Sequence, residues 1–316
     1  MLDSERLLKL YHISINKCCK LCYNKRKELT KQGGNHKMAV IKKIIKYTGL
    51  FTGVIWGINK TISFLSKQAN TFNKNHYFEY NSPFGIIKYK KYGDGKAPLL
   101  LIHNLSAGDN LNEWNYISEY FLDHYTVYAI NLLGCGNSDK SNLVYTNYMY
   151  VKLINDFIND VIGEKTDIIT SGYSNRIAVM TSVYNHNIIG KIAMINSDEP
   201  EDIKHNVLFS KIINIPIFGT FIYNFLFTKN RCIANTENDF NLYHYMNSYY
   251  DSIHYDNSKS KYLYTSIMEK KTYIDYQKAM SSIKNETYSY LDSTHTYPHI
   301  STPKLVADKV LDFLNN

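Results

Sequence analysis

Four short segments of the chain carry residue types that perform nucleophilic and acid–base chemistry. In chain order they read His103-Asn-Leu-Ser106, Asn131-Leu-Leu-Gly-Cys-Gly-Asn-Ser-Asp139, Ser171-Gly-Tyr-Ser-Asn-Arg176 and His295-Thr-Tyr-Pro-His299. A serine hydroxyl becomes a nucleophile when an imidazole accepts its proton, and a carboxylate orients that imidazole. The segments indicate acyl-transfer chemistry if the fold brings them to one place.

Alternating strands and helices precede and follow these segments. Short alternating runs predict a hairpin, and the continuous apolar run at 98–103 predicts a strand buried on both faces. Strands are predicted at 77–80, 86–92, 98–103, 125–131, 166–171, 188–196 and 286–291, and helices at 114–122, 147–162, 177–184 and 303–314. Such alternation is typical of an α/β protein with a mostly parallel central sheet and helices on both faces.

The order of the four segments resembles the α/β-hydrolase superfamily, in its lid-bearing branch of esterases, epoxide hydrolases and dehalogenases. The resemblance covers about residues 77–316. Segments 125–140, 216–223 and 261–267 are most similar to membrane-tethered α/β-hydrolase-like proteins of low-GC Gram-positive bacteria. The resemblance implies the α/β-hydrolase fold with a helical cap.

It also implies roles for residues at the carboxyl edge of the sheet. A nucleophile elbow of the pattern Gly-x-Ser-x-Gly would place Ser174 on a strained turn, with its hydroxyl exposed. The oxyanion hole would use the backbone N–H of Asn175 and a second N–H from the loop at Asn104, namely that of Leu105. The alternative interpretation of Ser174 is a serine that caps the following helix.

The histidine base and the carboxylate that would act with Ser174 do not fall at the usual positions of the family pattern. The family histidine normally precedes x-Pro-His, which here aligns with Thr296, so a one-residue insertion is needed to make His295 the base. His299 is interpreted as a structural residue. No strand ending in aspartate is recognisable between 261 and 286, so Asp198 is the candidate acid, with Asp292 as an alternative.

These departures leave two functions open. The usual glycine after His103 is Asn104, and Arg176 holds the last small position of the elbow pattern. The first hypothesis is a serine hydrolase that cleaves an ester or similar acyl bond of a small hydrophobic substrate. The second is a catalytically degenerate binding or interaction protein, a pseudoenzyme, tethered to the membrane.

Composition and charge exclude several classes of protein. The chain has 316 residues, 44% of them hydrophobic, and only five cysteines, which excludes a disordered chain and a disulfide scaffold. The net charge is +14 over residues 1–96 and −6 over the rest. A basic arm before an acidic body argues against a nucleic-acid-binding protein, and no nucleotide-binding or metal-ligand spacing is present, so no cofactor and no metal are expected.

An apolar run at 47–58, preceded by lysines, predicts contact with a membrane. It is interrupted at Asn59 and Lys60 and resumes at 61–65, so a complete span is not established. The lysines favour an anionic membrane surface, and the alternative is a helix packed on the domain. We expect a membrane-associated protein with an N-terminal anchor, on a membrane face that the sequence leaves open.

The same patterns divide the chain into five segments. These are an N-terminal helical extension at 1–37, a basic and apolar membrane-associating helix at 38–70, the core at 71–199, a helical cap or lid at 200–284, and a last strand and helix at 285–316. The extension contains Cys18, Cys19 and Cys22, which a palmitoyl group could modify, and Met38 is an alternative start.

Overall fold

The structure is a computed structural model that describes residues 34–73, 77–95, 97–196, 207–234, 236, 238–256, 260–263, 279–281 and 297–316. The chain divides into two compact units, Met1–Ile58 and Asn59–Asn316. The predicted helix within 1–33 and the predicted strand at 286–291 lie outside the described residues.

A six-stranded mixed sheet forms the centre of the second unit. Its strands are β1 (Phe78–Ser82), β2 (Gly85–Tyr92), β3 (Ala97–Ile102), β4 (Tyr125–Asn131), β5 (Thr166–Ser171) and β6 (Ile189–Ile195). Their spatial order is β1-β2-β4-β3-β5-β6; β1, β2 and β4 pair antiparallel, and β4, β3, β5 and β6 pair parallel. The predicted hairpin and the predicted parallel sheet are both confirmed.

Helices cover both faces of this sheet. They are α3 (Asn147–Phe157), extended by a π-helical turn at Ile158–Ile162, then α4 (Ser174–Tyr184), the short α9 (Pro298–Ser301) and α10 (Pro303–Asn315). Alternate side chains of β3 enter different cores: Leu100 packs in the core that includes α3 and α4, and Leu101 in the core that includes α10. Burial on both faces explains why β3 is continuously apolar.

One predicted helix was wrong. Residues 114–122 do not form a continuous α-helix; two single 3₁₀ turns, Leu111–Trp114 and Ser118–Phe121, replace it. The amide oxygen of Asn110 accepts a hydrogen bond from the N–H of Asn112 at 3.1 Å. This bond caps a turn that begins at Leu111, before the predicted start at residue 114. Asparagine competes for backbone hydrogen bonds in this way and favours turns over helix interiors.

The N-terminal apolar segment lies within one helix, α1 (Gly34–Gln68), which the short α2 (Asn70–Asn73) follows. Much of α1 exposes large apolar side chains: Ile45, Leu50, Phe51 and Trp56 are each more than half exposed. In the described part of the chain, no helix is long and apolar enough to cross a bilayer.

Between β6 and the C-terminal helices, the described residues 207–234 and 238–256 are largely helical. They form α5 (Val207–Ile213), α6 (Phe218–Leu226), α7 (Lys229–Cys232) and α8 (Phe240–His254). Pro216 stands between α5 and α6, where it interrupts the apolar run. The role of this region as a lid stays a prediction.

Candidate functional site

The turn between β5 and α4 places its strained residue two positions before Ser174. Gly172 has φ +53°, in the left-handed region, and Tyr173 and the helix follow with right-handed backbone. A nucleophile elbow carries its reactive side chain on the strained residue between strand and helix. In this chain that position has no side chain.

Ser174 is the first residue of α4 and is fully buried. Its hydroxyl donates a hydrogen bond to the carbonyl oxygen of His103, at 2.6 Å, so it faces the end of β3. It does not cap the helix, because no side-chain capping bond is present at the start of α4. A nucleophilic role for Ser174 stays a prediction, and it requires this hydroxyl to leave its present partner.

The side-chain oxygen of Asn104 accepts two backbone N–H groups at the carboxyl edge of the sheet. Leu105 donates to Asn104 Oδ1 at 2.9 Å, and Tyr173 donates to the same atom at 2.8 Å. One donor comes from the loop after β3 and the other from the residue after the strained turn, which is the donor arrangement of an oxyanion hole. The amide oxygen of Asn104 therefore occupies the position between these two donors.

The two N–H groups that donate to Asn104 differ in part from the predicted pair of donors. The N–H of Leu105, the predicted second donor, is bound to Asn104, and its role as an oxyanion donor stays a prediction. The N–H of Asn175 instead donates to the carbonyl of Gly172, at 3.2 Å, within the first turn of α4. The N–H of Tyr173 donates beside that of Leu105 instead, because the strained residue lies two positions earlier than the Gly-x-Ser pattern implies.

Two buried carboxyl groups hold Asn104 in this position. Its Nδ2 donates to Asp109 Oδ2 at 2.8 Å, and its backbone N–H donates to the two carboxylate oxygens of Glu113 at 3.2 and 3.3 Å. Glu113 also accepts the hydroxyl of Ser171, at 2.5 Å. Asp109 and Glu113 are fully buried, so the hydrogen bonds that they accept are needed to offset their loss of solvent.

Tyrosines from the helical region and from the C-terminal segment complete the network. Tyr245 of α8 donates to Asp109 Oδ1 at 2.8 Å and lies 3.3 Å from Glu113 Oε2, and Tyr297 donates to Asp109 Oδ1 at 3.1 Å. Burial, and secondly the charge of Glu113, raise the pKa of Asp109 to about 7, although the hydroxyl donors oppose the shift. Burial also raises the pKa of both tyrosines well above the ordinary value, so they remain donors.

Two buried histidines, His103 and His299, lie near this network. His103 Nε2 accepts the N–H of Leu132 at 3.0 Å, so its Nδ1 carries the proton and donates to the carbonyl of Asn104 at 2.5 Å. Burial lowers the pKa of His103, which keeps the ring neutral. The ring of His299 lies 4.8 Å from that of Trp114, and its Nε2 is 3.5 Å from Glu113 Oε1. The structural role expected for His299 stays a prediction.

The predicted base and acid cannot be placed in this network. His295 and Asp198 lie outside the described residues, as do Thr296 and Asp292. The residues that sequence reasoning missed are Gly172, Tyr173, Asp109, Glu113, Tyr245 and Tyr297. Two acidic residues in the loop after β3 were a visible signal, whereas nothing distinguishes Tyr245 among 29 tyrosines.

Solved structures that superimpose on this chain include hydrolases. An epoxide hydrolase, CorEH, superimposes with a TM-score of 0.59 at 11% identity, over 76% of this chain and 98% of the other. The enol-lactonase from Burkholderia xenovorans LB400 gives a TM-score of 0.58 at 14% identity, over 76% and 100%. The chain has the α/β-hydrolase fold.

Sequence comparison gives shorter matches to a hydrolase and to uncharacterized proteins. A 2-hydroxy-6-oxo-6-(2'-aminophenyl)hexa-2,4-dienoic acid hydrolase from Metapseudomonas resinovorans is 25% identical over 112 residues, which are 35% of this chain and 38% of that protein. An uncharacterized protein of Mycobacterium tuberculosis is 27% identical over 105 residues, 33% of this chain and 30% of that protein. The matches thus span less than two fifths of each relative, and no family model matches the chain.

Proposed function

We propose that this chain is a non-hydrolytic binding protein built on the α/β-hydrolase fold and associated with a membrane surface. The observation that carries the first part is the position of Asn104 Oδ1, which accepts both N–H groups of the oxyanion-hole pair. A hydrolase of this fold needs those donors for the charge that develops on a substrate oxygen.

Opening the site to a substrate would be costly. Asn104 would have to leave the N–H groups of Leu105 and Tyr173 and also the carboxyl of Asp109. Each such hydrogen bond contributes about 1 kcal/mol, and a buried donor left without an acceptor costs about 1–3 kcal/mol more. A substrate carbonyl could replace the acceptor for the two N–H groups but not the donor for Asp109.

The absence of a side chain at the strained turn supports the same proposal. A Cβ atom built on Gly172 would lie 2.6 Å from Cγ of Asn104. A nucleophile at residue 172 and the present Asn104 side chain therefore exclude each other. With glycine at 172, the Asn104 side chain fills the space that a nucleophile would need.

A serine hydrolase is the second candidate, favoured by the position of Ser174 at the same edge of the sheet, one residue after Tyr173. In this alternative, the Ser174 hydroxyl would leave the His103 carbonyl, His295 would accept its proton and Asp198 would orient the ring. The substrate would be an ester or similar acyl compound with a small hydrophobic group.

Labelling of the full chain with a fluorophosphonate, followed by digestion and mass spectrometry, separates the two candidates. We expect no adduct on Ser174 in folded protein, and the same background labelling for Ser174→Ala. An adduct on Ser174 that disappears in His295→Ala would overturn the non-hydrolytic proposal. Circular dichroism of each sample establishes that the protein is folded.

The membrane part of the proposal rests on the surface of α1. Large apolar side chains are exposed along its first half, Lys42 and Lys46 are exposed on the same helix, and no acidic residue occurs between residues 34 and 73. Helices that combine apolar and cationic residues in this way lie at the boundary between headgroups and acyl chains of anionic bilayers.

Co-sedimentation with vesicles tests this part. The full chain should bind vesicles of phosphatidylglycerol and phosphatidylcholine and bind pure phosphatidylcholine less. Lys42→Gln with Lys46→Gln should weaken binding to the anionic vesicles about 30-fold, because each lysine near such a surface contributes about 1 kcal/mol. Lys165→Gln with Lys304→Gln removes the same charge elsewhere and should change little; equal losses in the two pairs would contradict the assignment to α1.

A further inference from the structure

Helix α6 buries two polar side chains, Thr220 and Asn224, and exposes an apolar one, Phe225. Its buried residues are Gly219, Thr220, Tyr223 and Asn224. Its other face carries Phe221 and Ile222, which are half-buried, and Phe225, which is 64% exposed. A helix on the surface of a water-soluble domain has the opposite distribution, so this face is suited to an apolar environment.

The buried polar face is fixed by specific contacts. Asn224 Nδ2 donates to Asn59 Oδ1 at 3.0 Å, and Asn59 Nδ2 donates to the carbonyl of Ile217 at 2.9 Å. A Cβ atom on Gly219 would lie 2.5 Å from the carbonyl carbon of Ile213, so only glycine permits this approach of α6 to α5. Rotation of α6 to bury its phenylalanines would break these contacts.

The charged residues that α5, α6, α7 and their connections contribute are all basic. Lys211, Lys229 and Arg231 are exposed, and no acidic residue occurs from 207 to 234. The Arg231 guanidinium lies over the ring of Phe225, 5.4 Å from its centroid. An exposed phenylalanine with an arginine beside it matches the boundary between the acyl chains and the anionic headgroups of a bilayer.

From these observations we infer that the outer face of α6, formed by Phe221, Ile222 and Phe225, inserts at the surface of an anionic lipid bilayer. This contact belongs to the second unit itself and is additional to the contact proposed for α1. The inference rests on the membrane association proposed above. It makes the helical region between β6 and the C-terminal helices a lipid-facing surface.

A tryptophan at residue 225 tests the position of the face directly. The full-length Phe225→Trp variant would be mixed with vesicles of phosphatidylglycerol and brominated phosphatidylcholine, and its emission compared with that of the wild type. The additional emission should be quenched by at least half. Leu305→Trp places a tryptophan at another exposed apolar position, 48% exposed on α10, and its additional emission should not be quenched.

Binding of charged variants gives the second measurement. Phe225→Glu should weaken vesicle binding about tenfold or more, because transfer of a phenylalanine side chain from water into an apolar environment is favourable by enough to account for that factor. Leu305→Glu should leave vesicle binding unchanged. Equal binding of the two variants, together with an unquenched tryptophan at 225, would overturn the inference and leave the contact of α1 intact. A wild-type chain that does not bind the vesicles would overturn both membrane proposals.

Self-association is the remaining alternative for this face. Sedimentation of the wild type without lipid should give one mass across a hundredfold range of concentration. A dimer that forms in solution and is abolished by Phe225→Glu but not by Leu305→Glu would assign the face to a second copy of the chain and overturn the lipid assignment.

Discussion

The side chain of Asn104 occupies the space into which a side chain at Gly172 would project. Gly172 has φ +53°, and its built Cβ would lie 2.6 Å from Cγ of Asn104. Glycine is required at 172 both by the left-handed backbone and by the Asn104 side chain. The coupling free energy between residues 104 and 172 can therefore be measured.

A double-mutant cycle measures that relationship. Gly172→Ala should lower the free energy of unfolding by about 1–2 kcal/mol for the left-handed backbone alone, and by more in total because of the overlap. In an Asn104→Gly background the overlap is gone, so the cost of Gly172→Ala should fall towards the backbone value. Urea unfolding of the four proteins gives the coupling; identical costs in the two backgrounds would show that the side chains do not compete for space.

The hydroxyl of Ser174 should matter for stability. Ser174→Ala removes the hydrogen bond to the carbonyl of His103 and should cost about 1 kcal/mol in the free energy of unfolding, by urea denaturation. Ser182→Ala, on the same helix but half-buried, is the matched control and should cost less. A Ser174→Ala variant as stable as the wild type would indicate a hydroxyl that is not held in place.

The sequence predicted the sheet well because burial leaves a pattern along the chain. Strands β4 and β5 were placed at their observed bounds, since runs of apolar residues between turns identify strands buried on both faces. The register of the turn after β5 was not predictable in the same way. Gly172-Tyr173-Ser174 fits the Gly-x-Ser pattern, and only the backbone angles show that the strained residue is the glycine.

The occupied oxyanion pair could not be predicted from the sequence either. Asn104 was recognised as a departure from the usual glycine, but its effect depends on where its amide oxygen points. That direction is fixed by Asp109, Glu113 and, through them, by Tyr245, which lies more than 130 residues away along the chain. Contacts between polar residues at such separations leave no periodic signal.

The carboxyl of Asp109 should make stability depend on pH. Its pKa is raised from 3.8 to about 7, chiefly by burial, so the folded state holds the proton more tightly than the unfolded state does. The contribution of this group is therefore most favourable below about pH 4 and is lost as the pH rises from 4 to 7. Urea unfolding across this range should show a loss in the wild type that is smaller in Asp109→Asn.

Asp123→Asn provides the control for that measurement, because Asp123 is exposed. Its free energy of unfolding should follow the wild type at every pH. If Asp109→Asn also follows the wild type in parallel from pH 4 to pH 7, the proton is not held by Asp109.

Strain at Ile217 gives a prediction in the opposite direction, towards greater stability. Ile217 has φ +64° and ψ −59°, and the N–H of Phe218 donates to the carbonyl of Pro216 at 2.7 Å, which together form a γ-turn of the strained kind. Such backbone costs a β-branched residue about 1–3 kcal/mol. Ile217→Gly should therefore raise the free energy of unfolding by about 1 kcal/mol, measured in urea, even though it removes a half-buried side chain.

Ile217→Ala is the control. It loses most of the same side chain while keeping most of the strain, so it should be less stable than the wild type. The order glycine, wild type, alanine is specific to backbone strain, because loss of packing alone would place glycine last.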